Sequence, residues 1–151
     1  MDNNLFCKYN DSSVVTGETY CSEELSMLLK RHRFNADCHA FWKPVDGGMT
    51  LVTCDKENLY VCSNDFLDGL YDNALAAPTH QMVHDWLIDK KHIYIKIDCC
   101  PAANEKGYAF IGVVKDMTNK CMPFETPLDE MLYNSPAEAF ETLCKYTLEA
   151  L

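Results

Sequence analysis

The chain has 151 residues, a formal net charge of −10, and 48% hydrophobic against 24% charged residues. That composition excludes the disordered and fibrous classes, and a chain of this length is most simply one domain burying roughly 70% of the surface it exposes when unfolded. The charge excludes a broad footprint for DNA or RNA, which rests on many cationic contacts with phosphates, so direct nucleic-acid binding is not expected; it fits solubility, a basic protein partner or mimicry of nucleic acid.

The apolar runs fall short of a membrane span, and the opening residues MDNNLFCKYN lack the basic start and apolar run of a secretory signal, so a cytoplasmic location is expected. The nine cysteines, at 7, 21, 38, 54, 62, 99, 100, 121 and 144, are odd in number and show no C-x-x-C spacing. In a chain large enough to have its own core they read as reduced thiols acting as small hydrophobes. Cys99 and Cys100 are adjacent, and neighbours on a strand face opposite ways, so they are poor partners for one metal.

Residues 1–18 are polar and read as a loose arm or a short added strand ahead of a single α+β domain over 19–151. Ser22 is placed to cap a first helix, with Glu23 and Glu24 in the first turn, a stripe of Leu25, Leu28 and Leu29, and Lys30 and Arg31 at the end. The helix is predicted to finish near Arg33, with His32 at the core margin. Residues 37–44 and 48–54 flank Asp46-Gly47-Gly48, a hairpin signal, and 58–63 offers a third short strand. Residues 64–76 read as a connector holding a helical turn. Asp65, Asp68 and Asp72 there lack the alternating spacing of a calcium loop.

The segment Ala77–Ile97 carries the clearest signals. Pro78 and Thr79 mark helix entry. At 100° per residue Met82, Val83, Trp86 and Leu87 share one face and Gln81, Asp85 and Asp89 the other, which assigns Trp86 to the core. Lys90 and Lys91 suit the helix end, after which Ile93, Ile95 and Ile97 alternate with Tyr94, Lys96 and Asp98 as on a half-buried strand. Residues 101–106 turn, and 107–115 return as a strand in which Gly112 marks a bulge or a close backbone approach. Residues 117–134, with Pro123 and Pro127, are expected to cover one sheet edge. Ser135-Pro136 opens a last helix that sets Glu138, Glu141, Thr142, Lys145 and Glu149 on a wet arc and Ala137, Phe140, Leu143, Cys144, Thr147, Leu148 and Leu151 on an apolar one. The order predicts repeated helix-hairpin units in a two-layer sandwich, an antiparallel sheet with helices on one face.

Tyr20-Cys21-Ser22 with Leu25, Leu28-Leu29-Lys30, Phe34 and Cys38, then Ala77-Pro78-Thr79 with Trp86-Leu87 and the Ile-rich strand, then Asn134-Ser135-Pro136 with Glu138-Ala139, resemble a family of small uncharacterised proteins from phages, prophages and mobile elements of Bacteroides-type gut bacteria. The match spans most of residues 20–151, and its motifs are structural punctuation without chemistry. One departure is Arg33, where the family tends to place Gly before the Phe; if a left-handed cap is needed there, Arg bears a cost of about 1 kcal/mol. The resemblance implies an accessory phage or prophage protein in the bacterial host cytosol.

Signatures of catalysis are missing: the sequence has no G-x-S-x-G, phosphate loop or G-x-G-x-x-G. His80 and His84 have metal-compatible i, i+4 spacing, but Gln81 stands where a zincin needs its Glu base, and no third ligand lies nearby in sequence. Cys38 and His39 adjoin yet face opposite ways on a strand. No metal and no cofactor are therefore expected. Lys30, Arg31 and Arg33 form the one concentrated basic spot, close in sequence to His39 and Trp42. It reads either as a helix C-terminus decorated with favourable cations or as an anion pocket in which Arg forks a phosphate and Trp42 stacks a base. The leading expectation is a non-enzymatic accessory protein that occupies a host protein, with a defence component as one such target. The alternatives are a binder sequestering a small nucleotide through Lys30, Arg31, Arg33, His39 and Trp42, and an enzyme using a cysteine or histidine. A homodimer is compatible with the sequence.

Overall fold

A computed structural model describes residues 19–118 and 132–151. The elements run α1 (Glu23–Arg31), β1 (Ala40–Val45), β2 (Gly48–Thr53), a 3-10 turn (Cys54–Glu57), α2 (Asn64–Asp68), β3 (Leu75–Ala76), α3 (His80–Trp86) continuing as a π-helical turn (Leu87–Lys91), β4 (Ile93–Pro101), β5 (Tyr108–Asp116) and α4 (Pro136–Ala150). The fold is α+β with antiparallel sheets, and the helix-hairpin unit occurs twice, as α1 with β1–β2 and as α3 with β4–β5. The strands divide into a three-stranded sheet ordered β2-β1-β3 and a two-stranded β4-β5 sheet. The arm over 1–18 and most of 117–134 lie outside the described residues. Tyr133 does pair with Phe110 of β5 as an antiparallel bridge.

Local chemistry explains the boundaries. Ser22, Thr79 and Ser135 each accept a hydrogen bond from a first-turn amide, those of Leu25, Met82 and Glu138 respectively. Helix α1 ends in a Schellman motif: the Phe34 amide donates to the Leu29 carbonyl at 2.9 Å and that of Arg33 to the Lys30 carbonyl at 3.0 Å. Arg33 sits in the left-handed region there with φ 64. The β1–β2 turn pairs Val45 with Gly48, and Gly47 supplies the φ of +86 that the turn requires.

The third strand lies at Leu75–Ala76 rather than at 58–63, where only Cys62 bridges to Cys38. Buried Asn64 accounts for this. Its amide donates to the Phe34 carbonyl at 2.8 Å while its carbonyl accepts from the Ala76 amide at 2.9 Å, which holds 75–76 beside β1. Helix α4 packs on the β4–β5 hairpin and on α1, and α1 packs on β3. One continuous core joins both sheets, with Leu25, Leu29, Phe34, Phe41, Val83, Leu87, Ile93, Ile95, Val114, Phe140 and Leu143 inside. Trp86 is half-buried against that core, edge-on to Phe34 with ring centroids 5.5 Å apart. Gly112 is a close approach: a Cβ there would stand 2.0 Å from Leu143 Cδ1. Among the described residues, no helix is long and apolar enough to cross a membrane.

Candidate functional site

Among the described residues an open groove of about 480 Å³ runs over β4, between the start of α3 and the start of α4. Strand alternation places Ile95 and Ile97 on the face that meets α4, and with Phe140 and Pro136 they make its apolar surface, while Thr19, Gln81 and His84 add polar groups. His80 stands in the groove wall. Its ring stacks at a tilt on Phe140 with centroids 4.7 Å apart.

Behind that wall the ends of three helices are joined by one carboxylate. Glu141 Oε1 accepts from the Ser22 amide at 2.7 Å and lies 3.0 Å from His80 Nε2, while Oε2 accepts from the Ser22 hydroxyl at 3.0 Å. Burial alone would raise the Glu141 carboxyl, but the hydrogen bonds from His80 and Ser22 outweigh it and hold the group below the usual carboxylate range. The Glu141–His80 contact is an ion pair when the imidazole is protonated and a hydrogen bond otherwise. Cys21, fully buried, completes a cluster in which one ligand atom each of Cys21, His80 and Glu141 lies within 4.8 Å of the others. His84, one turn on, is edge-on to Tyr94; its buried Nδ1 has no hydrogen-bond partner, because Asp85 Oδ1 at 3.8 Å is too far to serve.

The cationic spot is arranged differently from the sequence expectation. Lys30 is bound to Asp68 at 2.5 Å and donates to the Ala74 carbonyl at 3.2 Å. Lys30 and Arg33 share a second cavity, of about 380 Å³, with Asn35, Asn64, Asp65 and Asp68. Two carboxylates in that lining oppose an anion. Arg31 reaches back to Met27 Sδ at 3.7 Å, and His39 is exposed on the approach to β1. Trp42 is half-buried, and its indole N–H donates to the Cys21 carbonyl at 3.0 Å. The structure thus brings Lys30 and Arg33 together and directs Trp42 toward the Cys21 backbone.

Burial disfavours the free thiolate at the buried cysteines. Burial, then the charges of Cys54 and Asp37, pushes Cys38 up to about 12. Burial likewise raises Cys21, Cys62 and Cys144 far above the ordinary thiol range, with Glu141 adding to the rise at Cys21 and Cys144. Asp68, one of the three aspartates whose spacing does not fit a calcium loop, is engaged by Lys30, and Asp65 accepts from the Asn35 amide nitrogen at 2.9 Å.

Sequence reasoning missed Glu141 and Cys21 as partners of His80. The helical pattern sets Glu141 on the wet arc of α4, yet on a helical wheel it stands only about 20° from buried Leu148, and that marginal angle is the available signal. Its partners lie 119 and 61 residues away in sequence. Comparison of the chain with protein-family models, with curated proteins and with solved structures finds no match.

Proposed function

We propose that the chain is a non-enzymatic binding protein, an accessory protein of a phage or prophage that occupies a host protein through the groove over β4. The observation that carries this reading is the groove itself, open and lined by Ile95, Ile97, Pro136 and Phe140 with a few polar groups at its edge. The occupant that fits is an extended segment with apolar side chains for the groove and basic flanks for a chain of net charge −10. The resemblance to phage and prophage proteins supports the host setting.

The other two readings have less support. A nucleotide binder would use the cavity beside Arg33, where Asp65 and Asp68 neutralise the cations and Trp42 does not form part of the lining. A cysteine- or histidine-dependent enzyme has less support at the buried thiols of Cys21, Cys38, Cys62 and Cys144, where burial disfavours the thiolate, and a cysteine nucleophile would fall to Cys99 or Cys100 on β4. The test is affinity capture from lysate of a susceptible bacterial host with wild type and Ile97→Asp, both checked for folding by circular dichroism. The reading expects one host protein retained by wild type and its recovery from Ile97→Asp reduced at least about tenfold, as loss of one buried apolar anchor implies. Equal recovery by both proteins would remove the groove from the account.

A further inference from the structure

We infer that Cys21, His80 and Glu141 form a binding site for one thiophilic divalent ion, with zinc the best match to the donor set. The residues come from the residue ahead of the α1 cap, the first position of α3 and the second turn of α4, and one ligand atom of each lies within 4.8 Å of the other two. Donors on a tetrahedral zinc, at bonds of about 2.0–2.3 Å, stand about 3.3–3.8 Å from one another. Closing the site therefore asks for movements of about 1 Å, within reach of side-chain rotation.

The backbone under the three donors is already fixed. The Cys21 amide donates to the Pro78 carbonyl at 2.9 Å, Tyr20 bridges to Thr79, and the His80 amide donates to the Thr19 carbonyl at 2.9 Å. The Ser22 hydroxyl, bound to Glu141 Oε2 at 3.0 Å, orients the carboxylate as a supporting partner does for a metal ligand. A thiolate, an imidazole and a carboxylate suit zinc, whereas calcium and magnesium take all-oxygen sites. The site does not use the His80/His84 helical spacing; the missing third donor is supplied from positions distant in sequence.

On loading, the Cys21 S–H proton passes to solvent as the sulfur-metal bond forms. The His80 Nε2 hydrogen bond to Glu141 breaks as the ion enters: Nε2 gives up its proton to solvent while the other ring nitrogen holds or takes one, so that Nε2 binds the ion through its lone pair, and Glu141 binds as the carboxylate it already is. Three protein donors leave one tetrahedral position for water or for a donor from whatever fills the groove, since His80 belongs to both. The inference stands independently of the proposed binding function.

The experiment uses the full chain, reduced and freed of metal with a chelator, titrated with zinc under native mass spectrometry and with cobalt under absorption spectroscopy. One zinc per chain and a thiolate-to-cobalt charge-transfer band are expected. Cys21→Ser should abolish the band and weaken zinc at least about tenfold, His80→Gln should weaken zinc similarly, and the pair Cys99→Ser, Cys100→Ser should change neither. Retention of no ion by wild type, or zinc binding unaltered in Cys21→Ser, overturns the site. Should Cys21→Ser fail to fold, the wild-type cobalt spectrum decides: absence of the thiolate band overturns the assignment, and its loss in folded His80→Gln supports it.

Discussion

Replacing Gly112 with Ala tests how closely α4 is seated on the β4–β5 sheet. Gly112 lies opposite Ile97 in the hairpin, and its φ lies outside the left-handed range that strains an L residue, so the cost of Ala is one of space. The added Cβ would stand 2.0 Å from Leu143 Cδ1, 3.4 Å from Leu143 Cγ and 3.2 Å from Ile97 Cδ1. Relief requires the Leu143 methyl to retreat by about 1.5 Å to reach contact distance. Leu143 is only 2% exposed and sits inside the core cluster, so the retreat displaces further side chains. Overpacking of this kind costs about 1–3 kcal/mol, and the depth of the overlap places the expected loss at about 2–3 kcal/mol, a fall in melting midpoint of about 4–10 °C. Urea denaturation of wild type, Gly112→Ala, Leu143→Ala and the double variant separates the clash from general damage. Leu143→Ala alone should cost about 2–5 kcal/mol, but less when Gly112→Ala is already present, giving a coupling of at least about 1 kcal/mol. A single-variant loss under about 0.5 kcal/mol, or no coupling, would refute the contact.

Three further outcomes follow from the geometry. Glu141→Ala removes an acceptor of bonds from Ser22 and His80, and should cost about 3 kcal/mol in urea denaturation; Glu24→Ala, which breaks only an exposed pair with Lys145, should cost under about 1 kcal/mol. Arg33→Gly, at φ 64 in the Schellman motif, should raise the melting midpoint by about 2–4 °C, since it relieves about 1 kcal/mol of left-handed strain. The Cys38 thiol is raised from an ordinary 9.0 to about 12 in the folded chain. Above pH 9 the unfolded state therefore holds fewer protons than the native one, and stability declines from pH 9 toward pH 12. Cys38→Ala should flatten that decline by about 1.4 kcal/mol per pH unit, read from urea midpoints between pH 8 and 10.5, and an unchanged slope would contradict the shift.

The elements most legible in the sequence were those with both a cap and a period. Ser22, Thr79 and Ser135 cap the helices that their positions announced, and Ile93 and Ile95 are buried while Tyr94 and Lys96 are exposed, as alternation required. Arg33 adopts a left-handed cap, a conformation the sequence raised only as a condition, through the Gly that the resembling family tends to place there. The strand at Leu75–Ala76 was not legible, because its two residues are held by a side chain, Asn64, whose role depends on Phe34 thirty residues earlier. The candidate site was less legible still. His80 was visible as a helix-start histidine, but the Glu141 and Cys21 partners come from opposite ends of the domain, and no local pattern links them. The surroundings of the cationic spot were hidden for the reverse reason: adjacency in sequence put Lys30 and Arg33 near Trp42, while folding set Asp65 and Asp68 beside them.

The central claim, that a host protein is bound through the groove over β4, is tested most directly by site-specific photo-crosslinking. A photoreactive amino acid is placed at exposed Gln81 on the groove, or at Tyr60, which is 89% exposed and does not line it. After irradiation in host cells, the account predicts a single crosslinked host polypeptide from position 81 and none from position 60. The same products from both positions, or none from position 81, would contradict it.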